Sequence, residues 1–567
     1  MKTLRMLVIC VSAFLVNAVN AATFDFPTAT GDISIVGQGG WNAMPGVTDL
    51  VRFSRVDTAS YIASADVEFA SLYISASAVF NLHENGDHTV KLANFAVAVD
   101  DKMGTLNGGV WDISGTVSGT ANNEVGAFGT CNIYNTSGTT LIMAKGCVVT
   151  NVNRLIVSNG GAGNRISITD GSKVYTKNAY LDYRTANDVG KNGVLEVLSD
   201  AELTASERFE VGSHFGATGN TARFDTGAKF SLRQVKVGKE GACDNTLQIS
   251  GNSTTGEFVT ATYIGSENVN NPSSGNKLIL NEGASLTCSI IYLSPTAGSV
   301  SNGIYIAGAD TSFTATVTNV ARYPFVYRGS HNTFEMDGST WNYWNTMQLD
   351  DAASSNTIRF VNGARLNVEN GIVSGTNHVA SCGNRVYVGG GSELNLLFMH
   401  ISRSDNVVTV SNSTISATRT TDSWSGIRFG TKLTNVDQSN IGGNGLVIQG
   451  NSSSVSAVRE IKFENKSFLR FEMPEGTYAD GCVPVSARAF SMSDDSSLQV
   501  ECAFGRMSPG KYTLISTTAG ITIPEGVLAA ANDSLSAQGN TAARLLLADG
   551  GKTLLLAVSK GTVVSIR

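Results

Sequence analysis

The stretch NKLILNEGA, residues 276–284, shows the pattern that decides this fold: an asparagine, two apolar residues separated by one position, and a small-residue turn. The phrase recurs as NRISITDGS from Asn164, NTARFDTGA from Asn220, NTIRFVNGA from Asn356 and NRVYVGGGS from Asn384. Looser copies begin at Asn245, Asn302, Asn332 and Asn406, and a phase-shifted copy, NGVLEVLSD, begins at Asn192. The interval averages roughly 27 residues, which is typical of stacked structural repeats.

The alternation inside each phrase indicates a β-strand, because residues two apart point to the same face of a strand. A second short apolar run follows the turn, as in Leu286-Thr-Cys288. A third run ends near a glycine, as in Val235-Lys-Val237-Gly238. Three short strands per repeat predict an all-β fold, a right-handed parallel β-helix in which each repeat is one coil. No helical periodicity of useful length is expected beyond the first twenty residues.

Composition favours the same fold. The chain has 60 glycines, only 9 prolines and 15% charged residues, and Gly and Asn supply the backbone conformations that tight corners need. Stacking places equivalent residues above one another, where asparagine side chains can hydrogen bond along the stack. The recurrent asparagines are therefore interpreted as a structural ladder rather than a ligand site: Asn164, Asn220, Asn245, Asn276, Asn302, Asn332, Asn356, Asn384 and Asn406.

The first residues are typical of a secretory signal peptide. Lys2 and Arg5 precede an apolar run, and small residues follow it, so we expect residues 1–22 to be removed by cleavage near Ala21 or Ala22. A secreted, extracellular or cell-surface location follows. No later stretch approaches the length of a transmembrane span, so none is expected in the mature chain.

Charge and cysteine content narrow the partners. The net charge of −7, without a basic cluster, argues against nucleic acid. Seven cysteines remain after processing, and the pairs Cys131/Cys147 and Cys482/Cys502 are near enough in sequence to be bridged, although the spacing does not require it. Since the sequence contains no Cys-x-x-Cys or His-x-x-x-His pair, neither a metal nor another cofactor is expected.

Three regions are predicted after the signal peptide. Residues 23–160 form an irregular, β-rich opening with early coils, and residues 161–505 carry the regular parallel β-helix. Residues 506–567 lose the asparagine phrase and become aliphatic. A solenoid needs an atypical terminal unit over its exposed end, so this last region is predicted to be a C-terminal β cap.

Both ends of this β region resemble a known family. Trp41-Asn42, Pro45-Gly46 and the strand beginning at Val67 are similar to the opening of bacterial secreted proteins with autotransporter-type, pectin-lyase-like β-helix repeats. Gly510-Lys-Tyr-Thr-Leu-Ile and Gly551-Lys-Thr-Leu resemble their usual ending. The resemblance implies a right-handed parallel β-helix and no catalytic residues, and this chain is expected to lack the C-terminal outer-membrane barrel of such proteins.

An enzyme is the competing class, because β-helices of this kind also include polysaccharide lyases and glycoside hydrolases. Glycoside hydrolysis needs paired carboxylates, and the nearest candidates are Asp350 and Asp351. Asp351 opens the segment Asp-Ala-Ala-Ser-Ser-Asn, which is typical of a solvated corner, so we interpret both residues as turn residues.

Aromatic residues concentrate in two successive repeats, beside polar groups. Exposed aromatic rings next to Asn and Arg are typical of glycan binding, whereas buried rings would fill a wide coil, and the sequence leaves both alternatives open. Alternation predicts that Trp341 and Tyr343 share one face while Trp344 takes the other. The candidate glycan-binding residues are Tyr323, Tyr327, Arg328, Trp341, Tyr343 and Trp344.

Taken as a sequence, the chain therefore predicts a non-enzymatic secreted or cell-surface β-helix, an adhesive or structural rod with a lateral face for glycans. Polysaccharide or a cell-surface protein is the expected partner, and the oligomeric state is left open. The alternative is a polysaccharide lyase or glycoside hydrolase of the pectin-lyase-like fold, which fold alone does not separate from a rod.

Overall fold

The structure is a computed structural model. It describes residues 23–26, 30–35, 44–45, 49–53, 59–74, 77–82, 88–97, 103–113, 129–134, 136–183, 191–315, 325–343, 347–349, 354–368, 371–374, 382–421, 425–431, 441–473, 483–502, 509–538 and 542–559.

The chain forms a parallel β-solenoid with three faces, which confirms the predicted β-helix class. The first face carries the asparagine phrase, and its strands stack in parallel register, so that Leu278 lies between Leu247 and Ile304. Inward residues such as Leu278 and Leu280 are completely buried. The strands of the first face are Thr30–Asp32, Ala59–Ile62, Ala78–Asn81, Met103–Asn107, Thr140–Ala144, Arg165–Ile168, Val194–Val197, Thr221–Phe224, Thr246–Ser250, Lys277–Asn281, Gly303–Ala307, Thr333–Asp337, Thr357–Val361, Arg385–Gly389, Val407–Ser411, Gly445–Gln449, Phe468–Met473 and Ser497–Cys502.

The second face follows the Gly/Ser corner. Its strands also pair in parallel, as when Trp341 lies between Phe313 and Leu366. Strands confined to this face are Val67–Glu68, Thr89–Lys91, Val110–Asp112, Lys229–Leu232, Ser312–Ala315, Thr340–Tyr343, Arg365–Val368, Glu393–Leu396 and Thr414–Ala417.

The third face completes each coil. Strands confined to it are Thr23–Asp25, Leu50–Phe53, Ser71–Ile74, Asn94–Val97, Thr130–Tyr134, Val235–Val237, Phe325–Tyr327, Met347–Leu349, Gly371–Ser374, Phe398–Ile401 and Gly426–Phe429. Longer strands run through the bend from the second face into the third. Five pairings between neighbouring long strands shift register there, as between Phe258 and Ala261. The long strands are Val148–Asn159, Lys173–Tyr180, Glu202–Val211, Thr255–Ile264, Ser285–Leu293, Ser454–Phe463, Val485–Met492 and Gly510–Thr522.

The C-terminal region departs from parallel stacking. Strands Ala543–Ala548 and Thr553–Val558 pair antiparallel with each other, and the second also pairs antiparallel with Gly510–Thr522. An α-helix, Glu525–Ala537, lies in sequence between Gly510–Thr522 and Ala543–Ala548, and it buries Val527, Ala531 and Leu535. The sequence interpretation missed this helix. A short 3₁₀-helix, Lys239–Gly241, lies in a loop. The handedness of the solenoid and the capping role of this region stay predictions.

Nine asparagines form a continuous hydrogen-bonded column at the corner that leads into the first face. Within it, the backbone N–H of each residue donates to Oδ1 of the next, over 2.8–3.2 Å. Nδ2 donates to the same oxygen at every step except from Asn302 to Asn332, where the Ser294 hydroxyl stands between them. The column comprises Asn220, Asn245, Asn276, Asn302, Asn332, Asn356, Asn384, Asn406 and Asn444, all nearly or fully buried.

The asparagine column differs from the predicted ladder at both of its ends. Asn164 stands outside it and bonds instead to the backbone of Thr139 and Thr136. Between Asn164 and Asn220 the equivalent position is held by Gly193, whose N–H donates to Asn220 but which has no side chain to continue the column. At the other end, Asn444 adds a member that the sequence phrase did not reveal.

Glycines that end the third face make room for this column. Gly238 has φ of +82°, and a Cβ there would lie only 2.1 Å from Cγ of Asn276. The backbone at this corner therefore requires glycine both for its left-handed conformation and for space.

Candidate functional site

The outward side of the first face carries a column of side chains that do not belong to the core. Tyr305, Glu335, Arg359 and Tyr387 occupy the same position in four consecutive strands, in parallel register. Each is the outward residue between the two buried apolar residues of its phrase. The solenoid thereby brings residues 82 positions apart in sequence onto one surface.

Both tyrosines lie along the sheet rather than projecting from it. A Cβ at Gly303 would fall 2.4 Å from Cε2 of Tyr305 and 2.7 Å from its Oη. A Cβ at Gly389 would fall 2.5 Å from Cε1 of Tyr387 and 2.6 Å from its Oη. Each glycine, which has no side chain, thus leaves the space that a tyrosine ring occupies. The ring in that position shields the strand backbone from water.

A charged pair separates the two rings. Nη1 of Arg359 lies 3.5 Å from Oε2 of Glu335, with the Arg359 side chain 47% exposed. The guanidinium carbon of Arg359 lies 6.0 Å from the centroid of the Tyr387 ring, at the limit of a cation–π contact. The first-face column therefore combines apolar rings with hydrogen-bond donors and acceptors that water can reach.

The third face carries a second aromatic stripe with different geometry. Tyr263 and Tyr292 stack with centroids 5.0 Å apart and an interplanar angle of 9°. Nζ of Lys236 lies 5.5 Å from the Tyr263 centroid. Because these two rings cover each other's faces, their stacking contributes to solenoid cohesion and leaves mainly ring edges toward water.

Neighbouring groups on the third face are also engaged. Burial, followed by the charge of Glu210, raises the pKa of the Tyr180 hydroxyl. Glu210 is itself buried, with Oε2 lying 3.6 Å from Nζ of Lys239. Arg154 covers the Tyr183 ring at 4.8 Å. This stripe is consequently a packed, internally paired surface rather than an open platform.

Trp341 corrects part of the predicted glycan site. Its side chain is completely buried and packs on Phe313 and Phe334, with centroids 5.1 and 5.3 Å away. A ring enclosed in the core does not stack on a sugar, so assigning Trp341 to glycan binding is wrong. It instead fills the coil interior, the other alternative the sequence allowed.

The remaining predicted residues do not assemble into a described site. Tyr323, Trp344, Asp350 and Asp351 lie outside the described residues, as do the side chains of Tyr327 and Tyr343. Arg328 is exposed just after the third-face strand Phe325–Tyr327, and its backbone N–H donates to the carbonyl of Ser294 at 3.1 Å.

The described part of the chain also bears on metal, membrane and disulfide features. It holds no group of three or more His, Cys, Asp or Glu side chains placed to bind a metal ion. None of its helices combines the length and apolarity needed to cross a bilayer. Cys131 and Cys147 are free, buried thiols, and burial raises the pKa of Cys131 to about 12.

Comparison with protein-family models, curated proteins and solved structures gave no match for this chain. The fold and the first-face column are therefore the basis for any functional assignment.

Proposed function

We propose that this protein is a non-catalytic secreted or cell-surface rod that binds a polysaccharide on its first face. The observation that supports this most directly is the resting of Tyr305 and Tyr387 over glycines in one outward column. A ring lying along a sheet offers an apolar surface of the kind that packs against the C–H groups of a sugar. Arg359 and Glu335 between the rings supply donors and acceptors for hydroxyl groups.

The aromatic rings of the first face pack differently from those of the third face, and this difference favours the first face as the binding surface. On the third face, Tyr263 and Tyr292 are stacked on each other, so a sugar would meet ring edges. On the first face, Tyr305 rests on backbone, and no second aromatic ring of its own column adjoins it, because its register neighbours are Ile279 and Glu335. The first-face column is thus the better platform for a flat ligand.

A polysaccharide panel with matched variants tests this role. The purified chain is expected to be retained by at least one neutral or acidic polysaccharide in affinity electrophoresis. Tyr305→Leu and Tyr387→Leu keep an apolar cover over Gly303 and Gly389 but remove the ring, and each is expected to weaken retention about tenfold, the equivalent of about 1.4 kcal/mol. Tyr263→Leu, an outward tyrosine on the third face, is the control and is expected to bind as the parent does.

Two results would count against the proposal. Parent-like retention by both first-face variants, with unchanged circular dichroism, would remove the first-face column from binding. An equal loss in Tyr263→Leu would show that binding depends on general integrity of the solenoid rather than on these rings.

The absence of catalysis is part of the same proposal. We expect incubation of each retained polysaccharide to release neither reducing nor unsaturated ends. Release that disappears in Asp350→Asn or Asp351→Asn would overturn the non-catalytic role and favour the lyase or hydrolase alternative.

Fractionation of cells, with sequencing of the mature N terminus near Ala21 or Ala22, tests the secreted or surface location.

A further inference from the structure

A third ring rests over a glycine farther along the first face. A Cβ at Gly445 would lie 2.1 Å from Cζ of Phe468, which belongs to the next strand of the stack. The guanidinium carbon of Arg470 lies 5.7 Å from the Phe468 centroid. Arg470 is held in turn by Glu472 at 3.2 Å and by Glu501 at 3.3 Å. The combination of ring, glycine, arginine and glutamate seen around Tyr387 thus recurs.

The strands that carry the three rings are evenly spaced along the solenoid. Three strand-to-strand steps separate the Tyr305 strand from the Tyr387 strand, through Thr333–Asp337 and Thr357–Val361. Three more steps lead to the Phe468 strand, through Val407–Ser411 and Gly445–Gln449. At about 4.8 Å per step, neighbouring strands of this set are about 14 Å apart and the set spans about 29 Å. The Phe468 ring reaches back over Gly445, so it lies closer to the Tyr387 ring than its strand does.

The rings also alternate about the central column. Tyr305 rests over Gly303, and the register of the stack carries the Gly303 position to Gly445, beneath Phe468. Tyr387 rests over Gly389, on the opposite side of the column. Thr409 and the buried Val447 occupy the outward positions between the second ring and the third. A ligand that touches all three rings must therefore follow the solenoid axis as an extended chain.

Charge indicates the chemistry of that chain. Arg359 and Arg470, whose guanidinium groups lie over the Tyr387 and Phe468 rings, each have a carboxylate within 3.5 Å. A polyanion would have to compete with Glu335, Glu472 and Glu501 for these guanidinium groups. An uncharged polymer can instead hydrogen bond to both members of each pair.

Resting on the proposed function, we infer that the ligand is a linear, uncharged polysaccharide lying parallel to the solenoid axis across Tyr305, Tyr387 and Phe468. Once one ring holds the chain, the others meet its later units at high effective concentration. Affinity is therefore set by chain length, and fragments shorter than the 14 Å interval use a single ring.

The test measures affinity against fragment length by calorimetry. The probes are size-fractionated β-1,4-glucan and β-1,4-mannan oligosaccharides, with polygalacturonate fragments as the polyanionic comparison. For at least one neutral series, fragments longer than about 29 Å are expected to bind at least tenfold more tightly than those shorter than about 14 Å. Phe468→Leu is expected to weaken binding of fragments longer than about 29 Å to the level of fragments that reach only Tyr305 and Tyr387, and to leave the affinity of those shorter fragments unchanged. Tyr263→Leu should change neither.

The possible outcomes separate the two proposals. Binding that does not grow with length, or unchanged affinity of the longest fragments in Phe468→Leu, overturns the three-ring inference and leaves the first-face proposal intact. Tighter binding of polygalacturonate than of both neutral series overturns the uncharged class. If no probe binds and the wider polysaccharide panel shows no retention, the proposed function fails and the inference fails with it.

Discussion

Replacing Asn276 with alanine removes one complete rung of the buried asparagine column. Oδ1 of Asn276 accepts from the backbone N–H of Asn245 at 3.1 Å and from its Nδ2 at 3.0 Å. Nδ2 of Asn276 donates toward the carbonyls of Ala242 and Ser274 and toward Oδ1 of Asn302, all within 3.1 Å. The side chain is fully buried, so water does not replace it in the intact fold.

The cost depends on which partners retain another bond. Nδ2 of Asn245 keeps the carbonyl of Cys243, and the carbonyl of Ser274 keeps the N–H of Asp244. The backbone N–H of Asn245 loses the acceptor that Oδ1 provides, and a buried orphan of this kind costs about 1–3 kcal/mol. With the weaker losses at the other partners and a small cavity, we expect the free energy of unfolding to fall by about 3–5 kcal/mol.

An exposed asparagine column supplies the matched control. On the second face, Nδ2 of Asn367 donates to Asn342 and its Oδ1 accepts from Asn395, both at 2.9 Å, in contact with water. Asn367→Ala is therefore expected to change stability by no more than about 0.5 kcal/mol, as is usual for surface substitutions.

Two measurements compare these variants. Urea unfolding followed by circular dichroism gives the difference in stability, and hydrogen exchange with mass spectrometry reports locally on the peptide containing Asn245. The local readout matters because repeats of a solenoid contact only their neighbours and can open separately. If Asn276→Ala loses no more stability than Asn367→Ala and exchange at Asn245 is unchanged, the buried asparagine column does not stabilise the solenoid as calculated.

Two further predictions concern space and burial. Gly238→Ala should lower the free energy of unfolding by more than about 3 kcal/mol, because its Cβ would collide with Asn276. Gly363→Ala, with φ of +80° and open space around it, should lower it by only about 1–2 kcal/mol. Equal losses of the two variants in urea unfolding would contradict this. In native protein at pH 8, alkylation mapped by mass spectrometry should modify the exposed Cys382 and spare Cys131. Burial raises the pKa of the Cys131 thiol to about 12 and blocks access of the reagent. Rapid labelling of Cys131 in the native protein would contradict this and show that the core opens readily.

The class of fold was predictable from the sequence because two patterns indicate the same structure. The asparagine phrase repeats once per coil, and apolar residues alternate with other residues inside each strand. Burial of Leu278 and Leu280 on one side of their strand is what the alternation predicts. The phase-shifted copy was harder to interpret: its sequence begins at Asn192, but the register places Gly193 opposite Asn220. Asn444 was missed because a continuous apolar run, Leu-Val-Ile, follows it and hides the alternation.

The aromatic residues show where sequence reasoning stopped. Alternation groups Trp341 with Tyr343 but does not say which face is inside. Alignment of the corners would have said so, because Trp341 follows its corner as Phe313 and Leu366 follow theirs, and all three share one inward column. Comparing whole repeats therefore carries more information than inspecting a local aromatic cluster.

The first-face column could be predicted from the sequence only in part. Tyr305 and Tyr387 hold the same place in the phrase, three residues after Asn302 and Asn384, so their common outward face could be predicted. Their resting over glycines depends on side-chain rotamers, which the pattern does not specify. The helix Glu525–Ala537 was missed because its buried face is a narrow stripe of one residue in four rather than a broad apolar surface.

The direction of the asparagine column has an evolutionary consequence. Every step uses a side-chain Oδ1 as acceptor on one side and a backbone N–H as donor on the other, so each coil within the column presents the same backbone hydrogen bond to its neighbours. Removing residues 332–355 would bring Asn302 against Asn356, with a donor again meeting Oδ1. Whole coils are accordingly units that gene duplication and deletion can add or remove, and the length of the solenoid can change between descendants while its corner chemistry stays the same.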